Sequence, residues 1–230
     1  MPTERLIPNV DRRLSAWISV QDRSRERPAG GAKPTITIAR RFGCEAYPLA
    51  ERLQERLEAR TGEPWTIFDK ALIERVSRET RLSEKMFANL GDTSRVLDAL
   101  AATIPGWKTQ AERYELLARH VVAIAREGNA IVVGRGGAVL TQGLPHCYHF
   151  RLEAPHAHRV ASIQRRLGLA PPAAEALVRE HEERRERFLD EMLHCAVADV
   201  RWYHAVYDTS RTPIVRVAES ILSLLPFGGS

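Results

Sequence analysis

Five short runs rich in β-branched and aromatic residues recur along this chain: TITIA (35–39), WTIFD (65–69), NAIVVGRGG (129–137), CYHFRLEAP (147–155) and YHAVYDTS (203–210). Between them lie segments whose apolar residues repeat every three or four positions, as on one face of a helix. No two runs are joined by the tight Gly-containing turn of a hairpin. Strands that alternate with helices need crossover connections, and crossovers make neighbouring strands parallel. The pattern therefore predicts an α/β fold: a five-stranded parallel sheet flanked by helices on both faces.

The helices can be placed from the same periodicity. PLAERLQERLEART carries Leu49, Leu53 and Leu57 four apart and stops at Gly62. KALIERVSRETRLSEKMFANLGD continues in helix, another runs over 109–126, a short one ends at Leu140, helices fill much of 156–194, and a last one covers 214–225. Residues 1–34 read as an appendage. VDRRLSAWISVQ forms one short amphipathic helix with Leu14, Trp17 and Ile18 on one side, or else belongs to a disordered tail. DRSRERPAGGAK has the composition of a flexible basic linker.

At 230 residues with 44% hydrophobic content the chain can bury a full core, which excludes global disorder. Lysine and arginine outnumber acids 34 to 29, and arginine predominates, which suits bidentate contacts to phosphate or carboxylate. The three cysteines, Cys44, Cys147 and Cys195, have no CxxC spacing, which points to a reducing compartment. No run approaches the ~18 apolar residues of a membrane span. The charged start MPTERLIPNVDRR lacks a signal peptide's apolar stretch, so the expected location is cytoplasmic.

In parallel α/β sheets ligands bind beyond the carboxyl ends of the strands. Those ends carry residues 40–43, Asp69, residues 134–137, Glu153 and residues 208–211, a gathering of Gly, Arg and Asp. The first of them, IARRFGCEAYPLAERL, has the strand, turn and helix of a phosphate-binding loop without most of its chemistry. Histidines cluster in HCYHFRLEAPHAH, but strand alternation sends neighbours to opposite faces, so no metal site is expected. Cys44 lies near a helix N-terminus, which lowers a thiol's pKa; a reactive thiol and a packed small residue are both readings of it.

From residue 35 to about 225 the chain resembles the cytidylate kinase-like family, a branch of the P-loop nucleoside monophosphate kinases. The resemblance rests on five segments in order: ITIARRFG, FDKALI, IVVGRGGAVL, RLEAPHAHRV and AVYDTSR. It implies a helical monophosphate-binding insert near 70–110, a helical lid at about 160–195, and ATP-dependent phosphorylation of CMP, dCMP or a related acceptor. ATP and Mg²⁺ are the implied cofactors.

The same resemblance assigns roles. Arg40, Arg41, Gly43, Cys44, Glu45, Ala46 and Tyr47 would meet the donor nucleotide, with Asp208 and Thr209 at its adenine end. Asp69, Gly134, Arg135 and Gly136 would meet the acceptor. Arg135 and the lid residues Arg159, Arg166 and Arg185 would carry the transfer; Glu182 and Arg185 match the family's Asp-x-x-Arg in the lid, with Glu for Asp. Charge alone reads the REHEERRERF segment equally well as a solvated helix with ion pairs four residues apart.

The departures are concentrated in the loop. Aligned on the helix, Ala46 stands for the phosphate-binding lysine, Tyr47 for the arginine that follows it in this branch, and Pro48 for the Mg²⁺-binding hydroxyl. Glu45 adds a negative charge, and Gly136 replaces an aspartate that cytidylate kinases use on the nucleoside. Three functions follow: a phosphotransferase, a nucleotide- or anion-sensing domain without turnover, and a nucleic-acid binder. The last lacks interleaved aromatics for stacking bases. The resemblance implies a nucleotide partner; no membrane partner is expected, and the expected state is a monomer or homodimer.

Overall fold

Alternation within the strands sorts side chains to two faces. In strand β1 (Thr35–Arg40), Ile36 and Ile38 point to one side, and Thr35 and Thr37 to the other. The computed structural model describes residues 9–24, 32–78, 110–193 and 196–227. The remaining strands are β2 (Thr66–Phe68), β3 (Ala130–Val133), β4 (Cys147–Glu153) and β5 (Ala205–Asp208). The eight described helices are α1 (Val10–Ser24), α2 (Ala46–Thr61), α3 (Lys70–Arg78), α4 (Gln110–Glu127), α5 (Gly137–Leu140), α6 (His156–Leu167), α7 (Pro171–Leu193) and α8 (Ile214–Ser223).

All five strands are parallel, in the order β2-β3-β1-β4-β5, as the alternation of segments requires. Thr35 stands beside Ala130 on one side and Cys147 on the other, so β1 is central and flanked by both. The chain leaves β1 toward one edge and returns past it toward the other, and the crevice beyond its carboxyl end is where such sheets take ligands. Gly134 N–H donates to Ile38 O at 3.0 Å and Arg41 N–H to Leu152 O at 3.1 Å, which bring the ends of three strands together there.

Two cores sandwich the sheet. On one face Leu49, Leu53 and Leu57 of α2 pack with Val217 and Ile221 of α8 over Ile36, Ile38, Ile131 and Phe150. Gly62, at φ 65°, ends α2 in the left-handed conformation that glycine adopts without strain. On the other face α3 and α4 cover Phe68 and Val132, and α1 joins them: Leu14 and Trp17 are buried, with the Trp17 ring edge-on to Phe68 at 5.6 Å. The amphipathic-helix reading of residues 10–21 thus describes a packed element. The linker reading of 22–33 fails at 22–24, which continue α1; residues 25–31, and residues 79–109 of the insert expected near 70–110, lie outside the described residues.

The helical stretch expected over 156–194 is broken at Gly168, φ 67°, into α6 and α7. Val160, Ile163, Leu167, Ala174 and Val178 form a small core of their own between these two helices. A 3₁₀ turn at Val200–Trp202, absent from the sequence reading, is capped by Asp199 before β5.

Candidate functional site

The turn after β3 is set by backbone chirality. Gly134, Arg135 and Gly136 have φ of 82°, 57° and 69°, and Gly137 N–H closes the turn on Gly134 O at 3.0 Å. Arg135 is one of two non-glycine residues with positive φ among the described residues. Such a residue costs about 1–2 kcal/mol of backbone strain, and strain of this kind gathers at functional sites. Gly134 leaves room for a neighbour: a Cβ there would lie 2.0 Å from Arg40 Nη1. The end of β1 therefore lays its arginine directly against the glycine turn.

Arg40 is the centre of a group of like charges. Burial, then Arg185 of α7, then Arg135, push its pKa down to about 9, while Asp69 acts the other way. The guanidinium stays charged at neutral pH; burial contributes most to the shift, and the two neighbouring arginines add to it. Arg185 is lowered too, by burial and then by Arg151. Neither Arg40 nor Arg185 donates a hydrogen bond among the described residues. Half-buried arginines crowded together with their donors uncommitted form an anion-binding arrangement. Asp69, 3% exposed, ends β2 beside them. Its Oδ1 accepts from Leu72 N–H at 3.0 Å, capping α3, and from Arg13 Nη2 at 3.1 Å.

A second set of charges is joined in ion pairs. Glu153 accepts from Arg151 through Oε1, and from Arg41 Nε through Oε2 at 3.0 Å. Arg41 Nη1 reaches Glu182 Oε2 at 3.3 Å, and Arg159 Nη1 lies 2.8 Å from the same oxygen. Burial works against the charge on Arg41, but Glu182 and Glu153 outweigh it and raise its pKa. Arg159, 4% exposed, also donates to Ala154 O at 3.1 Å and Phe42 O at 3.2 Å. This alternating chain of charges, with Phe42 stacked on His181 at 4.2 Å, fastens α7 over the turn that follows β1.

That turn is narrow. Gly43 has φ 95°, and a Cβ on it would stand 2.6 Å from Arg159 Cβ. Cys44 N–H and Ala46 N–H already donate to Arg41 O and Cys44 O, at 3.2 and 2.9 Å. Ala46 and Tyr47 turn into the core, 2% and 8% exposed, so the start of α2 brings no cation to the crevice. Glu45 is drawn toward α6, accepting from Ser162 Oγ at 3.3 Å. Arg166 lies near it: burial lowers the Arg166 pKa, and Glu45 and Glu51 oppose the shift.

The structure thus brings together Arg40, Asp69, Gly134, Arg135 and Arg185, and places Arg41, Arg159 and Arg166 in other company. The solvated-helix reading of residues 179–188 holds for the exposed Arg184–Glu180 pair four residues apart and fails at Glu182, which pairs across to Arg41 and to Arg159 of α6. Cys44 is the packed residue of the two readings: burial pushes its thiol up, opposing the helix N-terminus. Asp208 organises its own turn, accepting from Ser210 N–H at 2.9 Å, and Thr209 N–H returns to Glu153 O at 2.9 Å. Two residues escaped the sequence reading. Arg151 had a signal, a charge in the middle of a buried strand; Arg13 had none, because its partners lie over 50 residues away.

Three histidines of the cluster have separate partners. His146 Nε2 lies 3.0 Å from Ala125 O, His149 Nδ1 2.9 Å from Thr37 Oγ1, and His156 Nε2 2.8 Å from Glu175 Oε1. Among the described residues no group of three His, Cys, Asp or Glu side chains converges on a metal position. The residues present do not fit a protein-held Mg²⁺: Pro48 has no hydroxyl, and Asp69 already shares its carboxylate with Arg13. They do fit the phosphates of a nucleotide, through Arg40, Arg135 and Arg185. No described helix is long and apolar enough to cross a membrane.

Residues 35–211 match the model of the cytidylate kinase-like family. An uncharacterized protein from Eubacterium ventriosum ATCC 27560 has a similar fold, with a TM-score of 0.66 at 15% identity over 83% of this chain and 97% of that one. No curated protein matches the chain.

Proposed function

Because the chain belongs to the cytidylate kinase-like family, we propose that it binds nucleotides and transfers a phosphoryl group from ATP to a nucleoside monophosphate or a related small phosphate. The observation that carries this reading is the Arg40–Arg135–Arg185 group, whose accumulated charge at the sheet's carboxyl end calls for a polyanion. Arg40 and Arg135 hold the acceptor's phosphate against the Gly134 turn, where a bare backbone lets it approach. Arg185, on α7, faces the phosphoryl group in transit, where positive charge lowers the barrier most. An acceptor phosphate oxygen forms the new P–O bond as the bond to the ADP oxygen breaks. Asp69 Oδ2, which accepts no hydrogen bond among the described residues, orients the acceptor. With Gly136 where cytidylate kinases have an aspartate, the base of the acceptor is held less selectively. The two buried free cysteines agree with a reducing, cytoplasmic setting, and the chain acts as a monomer or homodimer.

A second reading is favoured by the turn around Gly43, which Arg159 fills from behind and whose Cys44 and Ala46 amides are already bonded. On it, the protein binds a nucleotide or other anion without turnover. Calorimetric titration with Mg·ATP and, separately, with CMP, followed by an assay for ADP, decides between them. Binding of both with ADP formed supports the transferase. CMP binding without ATP binding supports the sensor, and the absence of binding by either overturns both.

A further inference from the structure

Arg13 reaches the site from outside the segment that matches the family. Asn9 caps α1 through Oδ1, accepting from Asp11 N–H at 2.9 Å and Arg12 N–H at 3.2 Å, which fixes where the first turn begins. Leu14 and Trp17 seat the helix on α3 and α4. One turn in, the Arg13 guanidinium is held at three points. Its Nη2 donates to Ile67 O at 2.7 Å and to Asp69 Oδ1 at 3.1 Å, and its plane lies over the Tyr47 ring at 5.4 Å. The side chain is 12% exposed. Its Nη1 is buried and has no hydrogen-bond partner among the described residues.

A buried donor left unpaired costs about 1–3 kcal/mol, more when charged, so proteins seldom keep one without a use. A purely structural strut would have been served by a neutral donor to Ile67 O. Instead α1 places a full cation on the carboxylate that also sits by Arg40, adding positive charge to a site already rich in it. The position it covers is the start of α2, where Ala46 and Tyr47 have displaced the loop's own cations.

We propose that Arg13 is an anion-binding residue of this site, so that α1 forms one of its walls and Nη1 is held for a phosphate oxygen of the ligand. Arg13 takes over part of the role that residues 46–47 no longer fill, and Asp69 Oδ1 and Tyr47 fix its orientation. The inference rests on the anion-binding reading above and adds to it a component from the N-terminal appendage.

The test compares the full-length protein with Arg13→Gln, Arg13→Lys and Asp11→Asn, titrated calorimetrically with CMP and with inorganic phosphate, alongside the melting temperature of each. Asp11→Asn takes the charge from a second polar tie of α1, the bond Asp11 Oδ1 accepts from Arg75 Nε of α3 at 3.1 Å. Loss of one charge-assisted hydrogen bond should weaken both probes about tenfold or more in Arg13→Gln. Arg13→Lys should fall between it and the wild type, and Asp11→Asn should bind normally whatever its melting temperature. Wild-type affinity in Arg13→Gln overturns the proposal and leaves the anion site standing. Affinity losses in Arg13→Gln and Asp11→Asn that simply track their melting temperatures overturn it too, since Arg13 would then only dock the helix. A wild-type protein that binds neither probe overturns the parent reading itself.

Discussion

Arg159 Nη1 lies 2.8 Å from Glu182 Oε2, and this pair joins α6 to α7 beneath almost complete cover. Removing one partner leaves the other charge buried and only partly compensated. Glu182→Gln is expected to lower stability by about 3 kcal/mol. Arg159 keeps its bonds to the Ala154 and Phe42 carbonyls, so the fold should survive. Urea denaturation measures the loss; a change under about 1 kcal/mol would show the pair to be dispensable.

Two glycines should fail in different ways. At Gly43 an added Cβ meets the backbone oxygen of Arg159 at 2.8 Å as well as its Cβ, at a φ that alanine tolerates poorly. Gly43→Ala should cost more than about 3 kcal/mol. At Gly134 the obstruction is the far end of the Arg40 side chain. Gly134→Ala should then cost about 1–2 kcal/mol of strain while displacing Arg40 and weakening phosphate binding. Parallel melting curves and phosphate titrations separate the two outcomes.

Arg135→Gly removes a left-handed arginine and its side chain together. Relief of strain and the added chain entropy of glycine nearly cancel, so stability should stay within about 1 kcal/mol of the wild type. Phosphate binding should fall by at least about tenfold. A variant that keeps its affinity would remove Arg135 from the site.

His149 makes the fold sensitive to acid. Burial, then the nearby His204, push its pKa down to about 4, against an unfolded value near 6.5. The unfolded chain therefore binds a proton that the native state refuses, and stability falls as pH drops from about 6.5 to 4. The full effect is on the order of 3 kcal/mol. His149→Gln should flatten the melting temperature across that window, even if it lowers it at pH 7; an unchanged slope would assign the acid sensitivity elsewhere.

What the sequence disclosed follows the range of the forces involved. The strand ITI, the leucines of α2 and the glycine stop at Gly62 are set by neighbours within a few positions, and each was legible. The order β2-β3-β1-β4-β5 was not, because no local feature says that Ala130 and Cys147 both flank Thr35. The same limit governs the site. Arg135 announced itself between glycines after a strand. Arg159 and Arg166 looked equivalent to Arg185 in an arginine-rich segment, yet only contacts from Phe42, Ala154 and Glu45 distinguish them. Arg40 and Arg41 are adjacent in the chain but project to opposite sides of a strand end, one toward Arg135 and Arg185 and one into the paired chain.

Arg41 has one further consequence, in how the hairpin of α6 and α7 responds to ionic strength. Its partners Glu153 and Glu186 are 32% and 62% exposed, whereas Glu182 at 13% faces the deeply covered Arg159. At 1 M salt charges are screened beyond about 3 Å in solvent, but hardly at all in the interior. The outer contacts therefore act as a strap that electrolyte loosens, and the inner one as a pin that it leaves in place. Helix α7 should slacken by degrees about its pin to α6 rather than detach at once.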